Sequence, residues 1–61
     1  DMGAAAESVR IALAMAQAEQ SALIRLRNDE GVPDSTIRPL MTEIDARIGT
    51  LRRAIDSGPA N

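Results

Sequence analysis

The sequence predicts an all-α fold, an antiparallel helical hairpin that dimerises into a four-helix bundle. Two stretches of helix-forming residues, a turn signal between them and an unbroken apolar stripe in the second stretch lead to this prediction. The helices should cover about residues 4–29 and 34–56, with a frayed tail at 57–61. The 61 residues make one domain. Since the chain begins at Asp1, we expect it to be a helical-hairpin fragment of a larger protein.

The first stretch consists mainly of Ala, Leu, Met, Gln, Glu and Arg, which are strong helix formers. On a helical wheel its apolar residues cover roughly half of the circumference, more than the stripe of an ordinary surface helix. This face contains Ile11, Ala12, Met15, Ala16, Ala18, Ala22, Leu23 and Leu26. So broad a face usually contacts more than one neighbour. Its alanines suit a close approach of helix axes, or they reflect the high helix propensity of alanine.

A turn signal separates the two stretches. Gly31 can adopt the left-handed conformation that caps a helix, and Pro33 prevents the helix from continuing. Asp34, Ser35 and Thr36 are favourable at a helix start, through side-chain capping and the helix dipole. So short a connection predicts antiparallel neighbours.

The second stretch carries an isoleucine-rich stripe with spacings of 4, 3, 4, 3 and 4 residues. Its members are Ile37, Met41, Ile44, Ile48, Leu51 and Ile55. This alternation is typical of a coiled coil and indicates packing against another helix. Pro39 removes one helical hydrogen bond, so we expect a bend or an irregular first turn. Gly49 lies away from the stripe.

Association should stabilise this small domain, which has no cysteine and no aromatic residue for additional stabilisation. We expect a homodimer or a higher even oligomer. The predicted interface and core residues are Ile11, Met15, Ala16, Ala22, Leu23, Leu26, Ile37, Met41, Ile44, Ile48, Leu51 and Ile55. Glu19 lies near the centre of the first apolar face. It should pair with an arginine of the facing helix or point outward, or it is a pH-sensitive switch.

Several classes of function are disfavoured by composition. With neither histidine nor cysteine, the usual catalytic triads and transition-metal sites cannot form, so we expect no enzyme, no metal and no cofactor. The seven arginines alternate with nine acidic residues and no aromatic residue is present, which disfavours nucleic-acid binding. No apolar run reaches the roughly 18 residues of a membrane span, so we expect no direct membrane insertion of this segment.

Across roughly residues 9–51 the chain resembles the cytoplasmic C-terminal tail of bacterial sodium/proton antiporters of the monovalent cation–proton antiporter superfamily. In those tails a helix ends in a run of the ALxRLRxEG type, and I-x-D and L-x-x-E-L/I-D motifs follow. The matching residues are Arg10, Leu13, Ala18-Glu19, Ala22-Leu23, Leu26-Arg27, Glu30-Gly31-Val32-Pro33-Asp34, Ile37-Arg38, Leu40, Glu43-Ile44-Asp45 and Leu51. After Asp45 the chain departs from the family pattern, with Ala46-Arg47-Ile48-Gly49 in place of further acids.

The resemblance implies a dimerisation or regulatory appendage without transport chemistry of its own. Its partners would be a second copy and the membrane domain of the parent transporter, on the cytoplasmic side of the inner membrane. The isolated fragment would be soluble. One alternative is a free-standing soluble adaptor that binds a partner helix. Another is a fragment of a small all-helical enzyme, because Glu43-Ile44-Asp45 followed by Arg52-Arg53 resembles the first helix of chorismate mutases.

Overall fold

A computed structural model describes residues 2–57 of the chain. Helix α1 spans Met2–Asp29 and helix α2 spans Asp34–Asp56. The two helices pack against each other, and no strand occurs among the described residues. The prediction of two packed helices is confirmed, with observed bounds within two residues of the predicted ones. Ser57 forms a turn after α2, and the remainder of the predicted frayed tail, residues 58–61, lies outside the described residues.

The chain reverses over residues 30–33. Gly31 adopts the left-handed conformation with φ of 69°, as its place after the helix predicts. This conformation turns the backbone so that the carbonyl oxygen of Leu26 accepts two hydrogen bonds, from the N–H of Glu30 at 3.1 Å and of Val32 at 3.2 Å. One of the carbonyl groups left without a helical partner at the end of α1 is thereby satisfied.

Pro33 is the N-cap of α2, and no side-chain hydrogen bond caps the helix. Instead, the carbonyl oxygen of Pro33 accepts the N–H groups of Thr36 at 2.9 Å and Ile37 at 3.2 Å. The prediction of side-chain capping is therefore wrong, because the helix already includes Asp34 and the residues after it. Asp34 still lies in the first turn, where its negative charge interacts favourably with the positive end of the helix dipole.

Helix α2 continues through Pro39 without a break, so the first turn is regular. The N–H that proline lacks would have bonded to the carbonyl of Ser35. Both residues are exposed. The predicted bend stays a prediction.

The core lies between the helices. Ala16 of α1 packs with Ile44 and Ile48 of α2, and Leu13, Leu23 and Leu51 surround this cluster. Ile37, close to the turn, is 2% exposed. Side-chain bonds from Glu19 to Arg47, from Gln20 to Asp45 and from Arg27 to Asp34 join residues whose numbers rise in α1 as they fall in α2. The helices are therefore antiparallel.

Candidate interaction surface

The isoleucine-rich stripe faces α1. Ile37, Ile44 and Ile48 are buried, and Met41, Leu51 and Ile55 are partly buried. Residues spaced 4, 3, 4 and 3 apart form a stripe that winds only slowly around a helix, so one neighbouring helix can cover the stripe along its length. Ile44, Ile48 and Leu51 belong to the cluster that they form with residues of α1.

The broad apolar face of α1 divides into two parts. Ala16 is buried and Leu23 and Ala22 are partly buried, whereas Ile11, Met15 and Leu26 are exposed. The division has a simple cause: α1 has α2 as a neighbour on one side and no other helix of the described chain beside it. The predicted interface role of the three exposed residues would require another chain and stays a prediction.

We call the apolar line on the other side of α1 the outer stripe; Ala22 in it is partly buried, and its other members are exposed, namely Ile11, Met15, Ala18 and Leu26. Each residue advances about 100° around a helix, which places the centre of this stripe more than a right angle from the centre of the face that contacts α2. Met15, at its centre, is 63% exposed. Large exposed side chains arranged in one line differ from the scattered apolar residues of an ordinary surface.

Sequence reasoning named only Ala16 and Leu23 on the face of α1 that contacts α2 and missed the rest of that face. Val9, Leu13, Ala16, Gln20 and Leu23 follow spacings of 4, 3, 4 and 3, and each is buried or partly buried. The signal was present, but the polar Gln20 interrupts it and the adjacent alanine-rich face obscures it. Gln20 is accommodated because its Nε2 donates a hydrogen bond to Asp45 Oδ1 at 2.8 Å.

Glu19 pairs with an arginine of the facing helix. Arg47 donates from one guanidinium nitrogen to Glu19 Oε1 at 2.8 Å and from the other to Glu43 Oε1 at 3.3 Å. The Glu19 side chain is 53% exposed, so this pair contributes little, about 0.2–1 kcal/mol. The geometry matches the salt-bridge alternative for Glu19, and its pH-sensitive role stays a prediction.

A groove runs between the helices on the side that carries these charges. It has a volume of about 340 Å³ and is lined by Glu19, Ala22, Leu23, Leu40, Glu43, Ile44 and Arg47. Leu40 is an exposed large apolar residue on its α2 wall. A second depression, lined in part by Ala22 and Leu26, adjoins it. Because Ala22 belongs to both, the groove and the outer stripe form one continuous surface.

Other kinds of site have less support in the described part of the chain. Within residues 2–57, no group of three or more acidic, histidine or cysteine side chains could hold a metal ion. Glu43 and Asp45, which carry the resemblance to chorismate mutases, lie on different sides of α2. Glu43 accepts a hydrogen bond from Arg47, and Asp45 accepts one from Gln20. Neither described helix has the length and hydropathy that crossing a membrane requires.

No protein-family model, no curated protein and no solved structure matches this chain. The resemblance to antiporter tails therefore rests on the residues of the sequence alone.

Proposed function

We propose that this chain is a helical association module that pairs with a second copy of itself to form a four-helix bundle. The observation that carries the proposal is the outer stripe, whose large apolar side chains face away from α2. A hairpin already buries one side of each helix. The additional apolar line has no role within the hairpin, and burying it against another chain would stabilise both.

The energetics of a short chain support association. A two-helix hairpin has a single interface, and ordering costs of about 1.5 kcal/mol per residue roughly cancel the gain from burying apolar area in a domain this small. The buried core consists of side chains no larger than isoleucine. A second layer of helices would supply the missing burial, as it does in domains built from two packed layers.

We further propose that the parent protein is a sodium/proton antiporter and that the module is its cytoplasmic appendage. The motif resemblance over residues 9–51 supports this assignment. Its central run, from Glu30 to Asp34, forms the turn between α1 and α2. On this proposal the module helps to assemble or regulate the transporter, and ion transport takes place in the membrane domain.

Sedimentation equilibrium of the 61-residue chain at micromolar concentration tests the association. We expect a dimer, or a higher even oligomer, whose thermal midpoint rises with protein concentration because dissociation accompanies unfolding. A cooperative folded monomer would contradict the proposal.

A soluble adaptor that binds a partner helix is the second candidate. The groove beside Leu40 favours it, since an apolar cleft flanked by charged residues suits the face of an amphipathic helix. The sedimentation experiment separates the two candidates: a folded monomer would favour the adaptor, whereas self-association without any partner would favour the module proposed first.

A further inference from the structure

We draw no further inference here: the strongest candidate, the apolar surface that the groove between α1 and α2 forms with the outer stripe, has charged groups, Glu19, Glu43 and Arg47, that already pair with one another, and nothing in the structure shows what covers it.

Discussion

Gly31 and Gly49 are both glycines, but only Gly31 has a backbone conformation that disfavours other residues. Gly31 has a φ of 69°, and an added Cβ would contact nothing within 4 Å. Gly31→Ala should therefore lower the free energy of unfolding by about 1–2 kcal/mol through backbone strain alone. Gly49 is in the middle of α2, where a Cβ would meet only the end of the Arg53 side chain at 3.5 Å. Gly49→Ala should raise the free energy of unfolding by about 1 kcal/mol.

Urea denaturation at one fixed protein concentration measures both effects, since an associating chain changes stability with concentration. Gly31→Asn serves as the control, because asparagine tolerates the left-handed conformation better than alanine. Equal stability of Gly31→Ala and wild type would contradict the backbone argument.

The interactions of Glu19 could be predicted only in part from the sequence. Its place within an apolar arc predicted a pair with an arginine, an outward orientation or a switch, and the pair with Arg47 is present. The sequence could not identify Arg47 as the partner, because the relative rotation of the two helices decides which arginine lies opposite. Gln20 and Asp45 were missed for the same reason.

At the scale of the helix, Ile48 is a core position at which a charge should be costly. It is 8% exposed and packs with Ala16 and Ile44. Ile48→Asp would place an unpaired carboxylate in this cluster at a cost of several kcal/mol. We expect the loss of both helicity and association, measured by circular dichroism and by sedimentation.

Ala46→Asp is the matched control, because Ala46 is exposed on α2. Aspartate at such a position costs at most about 0.7 kcal/mol of helix propensity, so the hairpin should persist. An unchanged melting temperature for Ile48→Asp would show that the isoleucine-rich stripe faces solvent rather than α1.

The two helices differ in how well the sequence predicts their faces. In α2 the apolar residues form one narrow stripe, so Ile37, Ile44 and Ile48 could be recognised directly. In α1 apolar residues cover two directions, toward α2 and along the outer stripe. Periodicity alone cannot rank these directions, and Leu13 was overlooked although it packs on the core. Whether a segment is helical depends on its local composition, whereas the side of the helix that becomes buried depends on the helix packed against it.

At the scale of the whole molecule, the hairpin is a single layer of two helices. Apolar residues on both sides of α1 suit a helix in the interior of a bundle more than one at its edge. The fold of one chain therefore explains the inner half of the α1 pattern, and the proposed dimer explains the outer half. The two sides of α1 differ strongly in exposure: Ala16 is 1% exposed, whereas Met15, its neighbour in sequence, is 63% exposed.

The last prediction concerns the proposed parent transporter. If the module assembles or regulates an antiporter, its deletion should leave sodium/proton exchange in membrane vesicles active and should change dimer stability or the pH at which activity appears. Glu19→Gln, tested across a pH series, examines the switch hypothesis. Glu43→Gln is its matched control, since Glu43 bonds to the same Arg47 but its side chain is 72% exposed. A profile shifted by Glu19→Gln and not by Glu43→Gln would support the switch. Unchanged profiles would leave Glu19 as a structural partner of Arg47, and complete loss of exchange in correctly inserted, dimeric, tail-deleted protein would contradict the accessory role.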